Sequence, residues 1–283
     1  MNLKIAILIT CYNRVNTTKE CLKHCFSSLS LIDSFDHDIF LLDDNSPDKT
    51  GEILKKTYPS INVIYGNGKY FWSGGTRKLW ELASKKKDYD YYVWLNDDSI
   101  LFKNAFSIIY DDIKNKSSSI IVGSFISSNQ NLNELTYGGR DKKFSLLIPS
   151  GKPQECLFIN GNFVFIPREI FKKVGFLSKM FTHNYGDTDY GLRVVKKNFK
   201  MFIASQVVGI CNKNDLELWR KPNTSFFARL KSFYKSKNYN IKEVMYFQLV
   251  HFGLIALLKN LIGVFIIILY PKVYYKLSKF NLK

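Results

Sequence analysis

Short apolar runs alternate with amphipathic stretches along the first 125 residues. The runs Ile5–Thr10, Asp38–Leu42, Ile61–Tyr65, Tyr91–Leu95 and Ile120–Ser124 predict strands. The stretches Thr17–Leu31, Lys49–Tyr58, Thr76–Lys87 and Asn104–Lys114 predict the helices between them. Strands alternating with helices imply βαβ units and a largely parallel sheet, whose buried strands read as continuous apolar runs. Beyond residue 125 the pattern changes. Tyr137-Gly138-Gly139-Arg140 reads as a turn between strands, and Cys156–Ile166 as an apolar strand broken by Asn160-Gly161-Asn162. Pro167 opens and Gly175 ends a short helix at Arg168–Val174, the usual order of these two residues. A helix is predicted at Asp187–Asn198 and a strand at Lys200–Ala204.

The last 60 residues form a separate zone. Phe226–Lys237 mixes aromatics with Arg and Lys, and Phe247–Tyr270 is strongly apolar, interrupted by His251, Lys259 and Asn260. Spanning a bilayer takes about 20 mostly apolar residues, so this run is long enough. The other reading is a buried helical hairpin split at Lys259-Asn260. Two domains are therefore expected: an α/β domain over residues 1–215 and a helical, membrane-associating extension over residues 216–283.

The composition sharpens this division. A hydrophobic content of 46% and an aromatic content of 16% exclude a disordered chain. The formal net charge is +17, yet Arg220–Lys283 holds twelve Lys or Arg against one acid, Glu243. Positive charge beside an apolar tail favours an anionic membrane surface. A nucleic-acid-binding protein would instead carry it as a face on the folded domain, so no nucleic-acid partner is expected. Five cysteines form no CxxC pair, which suits free thiols in a reducing compartment. The run Lys4–Thr10 is too short for a signal peptide and reads as a first buried strand.

Four polar clusters follow predicted strands or open predicted helices. Asp97 and Asp98 end the apolar run Tyr91-Tyr92-Val93-Trp94-Leu95-Asn96. Ligands of α/β sheets collect at the carboxyl ends of strands. Carboxylates there can hold a hard divalent cation that bridges to substrate phosphates. Asp43, in Leu42-Asp43-Asp44-Asn45-Ser46-Pro47-Asp48, can accept hydrogen bonds from a base or ribose, or simply cap a turn. Gly66-Asn67-Gly68 and Trp72-Ser73-Gly74-Gly75-Thr76-Arg77 read as a glycine loop leading into a helix, whose N–H groups favour phosphate, with Arg77 adding a charged fork. This is neither a dinucleotide fingerprint nor a Walker A loop. Asp187 and Asp189, in Tyr185-Gly186-Asp187-Thr188-Asp189, sit at a helix start, where negative charge is stabilised; both can be capping residues, and for Asp189 capping is the simpler reading.

The order and content of these clusters resemble the family 2 glycosyltransferases, which have the GT-A fold, over roughly residues 3–215. Thr10, Tyr12, Asn13 and Arg14, in Ile9-Thr10-Cys11-Tyr12-Asn13-Arg14, are similar to the family's opening loop on the nucleotide. Asp43 matches its base-binding aspartate. Asn96-Asp97-Asp98 stands where the family has DxD, with Asp98 at the metal-binding position. Asp187 matches the general base of Glu-Asp-x-Asp, with Asp189 at its last position, and Gly75, Arg77 and Asp97 fall in donor-lining regions. Two positions depart from the pattern: Asn96 replaces the first acid of DxD, and Gly186 the glutamate before the base. Trp94-Leu95-Asn96-Asp97-Asp98 and Tyr234-Lys235-Ser236-Lys237-Asn238 are similar to rhamnosyltransferase-like members of bacterial surface polysaccharide pathways. The resemblance implies an inverting transfer, with Mg2+ or Mn2+, from a nucleotide diphosphate donor (dTDP-rhamnose or a UDP-sugar). It implies a polyprenyl-diphosphate-linked saccharide acceptor at the cytoplasmic face of the bacterial inner membrane. A non-catalytic, membrane-associated nucleotide-sugar or saccharide-binding protein is the alternative.

Overall fold

A computed structural model describes residues 2–128, 134–236 and 239–274. Lys237 and Asn238 of the predicted basic stretch, and residues 275–283 of the extension, lie outside the described residues. The chain divides into two compact units, Met1–Lys213 and Asn214–Lys283.

The first unit runs β1 (Leu3–Cys11), α1 (Val15–Leu29), β2 (Phe35–Asp43), α2 (Thr50–Thr57), β3 (Asn62–Tyr65), α3 (Phe71–Lys86), β4 (Tyr91–Leu95), β5 (Ile100–Leu101), α4 (Ala105–Asn115), β6 (Ile120–Ile126), β7 (Leu135–Tyr137), β8 (Gln154–Cys156), β9 (Phe163–Pro167), α5 (Arg168–Val174), α6 (Gly186–Lys196) and β10 (Met201–Ile210). The strands form one mixed sheet in the order β3-β2-β1-β4-β9-β6-β10-β5. Neighbours pair in parallel through β3-β2-β1-β4 and between β6 and β10. Both faces are covered, so the successive residues Ile5–Ile9 of β1 are all apolar. Ile5, Ile7 and Ile9 pack with Cys21, Leu22 and Cys25 of α1 and Phe106 of α4. Ala6 and Leu8 pack with Leu79 and Trp80 of α3 and Tyr190 of α6. All five cysteines are buried and free.

Two departures from the predicted boundaries bear on the site. The run Cys156–Ile166 is two strands: β8 pairs with β10, whereas β9 inserts between β4 and β6, antiparallel to both. Helix α3 begins at Phe71 rather than Thr76, so Gly74 and Gly75 lie in its first turns. Gly75 is tolerated because a Cβ there would overlap the Thr10 side chain, so the missing side chain lets α3 close on the end of β1.

The second unit contains α7 (Phe226–Lys235), α8 (Ile241–Phe252) and α9 (Leu254–Leu269). The apolar run breaks at Gly253, whose φ of +81° is left-handed, and not at Lys259-Asn260. Asn260 stays inside α9 because Tyr239 Oη donates to its Oδ1 at 2.9 Å. Trp219 is buried edge-on to Phe233 and Tyr239, and its Nε1 donates to Glu217. The two helices have 12 and 16 residues. No helix among the described residues is long and apolar enough to cross a membrane.

Candidate functional site

The chain leaves β1 toward β2 on one side and returns to β4 on the other, which makes the β1/β4 boundary a topological switch point. Register fixes what meets there. Cys11 pairs with Asp43 and Leu8 with Trp94, so the segments after β1, β2 and β4 emerge side by side at the carboxyl edge. Leu95 pairs with Phe163 of antiparallel β9, which brings Asn160-Gly161-Asn162 to the same edge. Asn96 N donates to Asn162 O at 3.0 Å.

Arg14 bridges the gap between the segments after β1 and β4. Its Nη1 lies 3.3 Å from Asp97 Oδ1 and 3.2 Å from Asp98 Oδ2. Burial and the neighbouring Asp98 push the Asp97 carboxyl up to about 7, against the pull of Arg14 and Thr18. Asp98 is the more open of the pair, with 29% of its side chain exposed against 10% for Asp97. The two carboxylates therefore already share one positive group, and Arg14 Nη1 marks a cation position between them. No cluster of three or more acidic, His or Cys side chains that could hold a metal occurs among the described residues. A divalent ion at this position must complete its shell with substrate oxygens, the habit of Mg2+ beside phosphates. Toward such an ion the chain's own residues here supply at most the carboxylates of Asp97 and Asp98.

Asp43 and Asp44 are both buried. Asp43 accepts from Ser46 N at 2.9 Å and Gly51 N at 2.7 Å, which fixes the turn into α2. Ser46 Oγ in turn accepts from Asn13 N, a residue with φ of +53°, tying the base of the second cluster to the first. Tyr12 beside it is half exposed. Asp44 accepts from Gly68 N at 2.8 Å, Tyr70 N at 2.9 Å and Phe71 N at 3.0 Å. Ser73 N and Gly74 N donate to Thr182 O. The N–H groups of Tyr70, Phe71, Ser73 and Gly74 at the start of α3 are therefore bonded within the protein. Gly75 packs α3 against Thr10 at the end of β1, and Arg77 Nη1 braces the neighbouring loop by donating to Ser178 O at 2.9 Å. Thr10 Oγ1 is buried with no hydrogen-bond partner among the described residues.

Asp187 reaches the same edge from α6. Its Oδ2 accepts from Gly161 N at 2.9 Å and its Oδ1 from Thr188 N at 2.7 Å. Burial pushes its carboxyl up, and these two N–H donors pull it part of the way back. Arg140 lies close enough to feel the charge of Asp187. That arginine sits in the segment read from sequence only as a turn. Asp189 is placed differently: it is buried in an ion pair with Arg193, Nε to Oδ2 2.8 Å, and Arg193 also donates to Val174 O and Phe176 O. This pairing clamps α6 to the end of α5, a scaffold position rather than a second acid at the edge.

The sequence also passed over Trp72, whose Nε1 donates to Asn96 Oδ1 at 2.6 Å. A contact path thus runs from Asp43 through Ser46 and Asn13-Arg14 to Asp97 and Asp98, and from Asn96 through Trp72 and Gly161 to Asp187.

The sequence model described as Glycosyl transferase family 2 matches residues 6–175. No curated protein matches the chain in sequence. Among solved structures, residues 1–349 of S. aureus TarS are similar, with a TM-score of 0.52 at 11% identity over 86% of this chain and 69% of that one. The same fragment in complex with UDP-GlcNAc gives 0.53 at 10% identity, over 86% and 70%. The mannosyltransferase PcManGT from Pyrobaculum calidifontis, in complex with GDP-Man and Mn2+, gives 0.56 at 10% identity, over 99% and 84%. At such identities the likeness concerns the fold, which is that of GT-A glycosyltransferases.

Proposed function

The chain belongs to glycosyl transferase family 2, and from that premise we propose an inverting, metal-assisted transfer from a nucleotide diphosphate sugar to a lipid-linked saccharide in bacterial surface polysaccharide synthesis. The observation that carries this reading is the cation position at the β1/β4 switch point, where Arg14 Nη1 stands 3.3 and 3.2 Å from Asp97 and Asp98. Thr10, Tyr12, Asn13, Arg14 and Asp43 would form the nucleotide side, with dTDP-rhamnose or a UDP-sugar as the donor. Asp98 would hold Mg2+ or Mn2+, which when bound supplies Lewis-acid relief of charge on the leaving diphosphate. Arg14 Nη1 now lies against Asp98, so on metal binding it would move aside and pair with the diphosphate instead.

Asp187 takes the proton of the acceptor hydroxyl. Its two oxygens are oriented by Gly161 N and Thr188 N, and burial raises its basicity above that of an ordinary carboxylate. The sign of the pH effect follows. The base acts when deprotonated, so the rate rises with pH through its raised pKa. The acid limb of kcat/KM is expected above the ordinary aspartate value of about 4. A limb at or below that value removes Asp187 from the role.

The second unit is read as the membrane contact. Exposed apolar residues of α9 recur at Leu254, Leu258, Ile262, Phe265 and Leu269, one face of a helix, while Leu257 and Ile267 are buried on the other. A helix with one such apolar face suits the interface plane of a membrane. Lys and Arg nearby then favour anionic lipid, by about 1 kcal/mol each.

A panel of nucleotide sugars tests the donor reading by thermal shift with and without Mn2+. One donor is expected to raise the melting temperature, since a ligand at 100 times its Kd contributes about 2.7 kcal/mol. In Asp98→Ala the Mn2+-dependent part of that shift should vanish and the donor affinity should weaken. A Mn2+ response that survives unchanged takes Asp98 out of the metal site, and no shift with any donor rejects the reading.

A further inference from the structure

Both departures from the family pattern touch one side chain. Asn96, in place of the first acid of DxD, accepts the indole N–H of Trp72 at 2.6 Å. Gly186, in place of the glutamate before the base, lies against the first turn of α3. A Cβ there would overlap Ser73 Oγ and come 3.6 Å from Trp72 Cζ3. Gly161 makes room on a third side, since a Cβ on it would overlap the benzo ring of the same indole. Trp94 closes a fourth side, edge-on at 5.8 Å between ring centroids. The hydrogen bond to Asn96 and the packing of Gly161 and Trp94 thus hold Trp72 in one orientation, yet it stays partly exposed.

The place of that indole is chemically specific. Asn96 immediately precedes the carboxylates that share the cation position, and Gly161 N is bonded to Asp187. Trp72 therefore stands between the proposed diphosphate side and the proposed base, where the reading above requires the transferred sugar to be. We infer that the Trp72 indole is the wall against which the transferred sugar stacks, and that Asn96 is a positioning residue for this indole rather than a metal ligand. A flat apolar surface suits the C–H face of a pyranose, and a rigid aromatic loses little freedom when it binds. A carboxylate at position 96 would also accept the N–H, but would place a third negative charge beside Asp97 and Asp98. Asn supplies the acceptor without that charge. Asn160, next to Gly161, adds polar capacity: its Oδ1 is buried without a partner among the described residues, and a sugar hydroxyl can satisfy it once the side chain turns.

This inference rests on the proposed donor reading, and the experiment separates the two. The full-length protein is titrated with UDP, GDP and dTDP, and with UDP-GlcNAc, GDP-Man and dTDP-rhamnose. The same titrations are run on Trp72→Phe and on Asn96→Ala, which leaves the indole in place but untied. Affinity for the nucleoside diphosphate is expected to stay within about twofold in both variants. The extra affinity contributed by the sugar is expected to fall about threefold to tenfold in Trp72→Phe, and less in Asn96→Ala. Sugar-bearing donors held as tightly by Trp72→Phe as by the unaltered protein overturn the inference and leave the donor reading standing. Equal loss of diphosphate and sugar affinity in both variants also overturns it, since the pair would then serve only the integrity of the pocket. If the unaltered protein binds none of the six compounds, the donor reading and this inference fall together.

Discussion

Asp187→Asn is expected to lower kcat by about 10²–10⁴ while the donor Kd stays within about twofold. The exchange keeps shape and one acceptor oxygen. Gly161 N and Thr188 N now both donate to this carboxylate, and an amide can accept from only one of them. The lost hydrogen bond costs about 1 kcal/mol of local stability, small against the catalytic effect. The decisive reading is the separation of the two parameters: a group that acts only on the acceptor proton is felt in kcat and not in donor binding. The acid limb of the pH profile should disappear in the same variant. If donor affinity falls as steeply as turnover, Asp187 belongs to the scaffold of the Gly161 loop, as Asp189 belongs to that of α6.

The elements that place the site were legible because burial leaves a plain mark. Both faces of β1 and β4 are covered, so the stretches Ile5–Ile9 and Tyr91–Leu95 are apolar at every position and end abruptly in polar residues. That end is the carboxyl edge, and Arg14, Asp97 and Asp98 meet there. The start of α3 was not legible. Gly74 and Gly75 look like loop residues, and what makes them helical is remote: Thr182 O takes the N–H groups of Ser73 and Gly74, and Thr10 requires the close approach of Gly75. Trp72, Gly161 and Arg140 were hidden for a related reason, since the Gly161 loop reaches Asn96 only because β9 pairs antiparallel with β4. No local pattern encodes that register. Asp189 carried its own signal, an arginine four residues later on the same helix face.

Replacing Ile255, Ile262 and Phe265 together by Glu is expected to release the full-length protein from anionic vesicles. Within the second unit these side chains are 70%, 58% and 63% exposed. A helix spaces residues by about 100°, which sets all three within one quarter of the circumference of α9. The stripe is therefore continuous, and burying a large aliphatic or aromatic side chain contributes about 1.5–3 kcal/mol. Even the lower figure for three residues corresponds to about 10³ in partition. The charge around the stripe acts in the same direction but is weaker and screened: raising the salt should loosen the unaltered protein only in part. Replacing Lys231, Lys235 and Lys242 by Gln should mimic high salt without abolishing binding. The two sets separate the apolar and electrostatic contributions, because only the first is insensitive to ionic strength. Thermal shifts with the nucleotide donor should be unchanged in both, since none of the six residues belongs to the nucleotide site. If the Glu variant still floats with vesicles, the exposed face of α9 is not what holds the protein there. If instead it changes from dimer to monomer in solution, a second copy of the chain is the natural cover for that face.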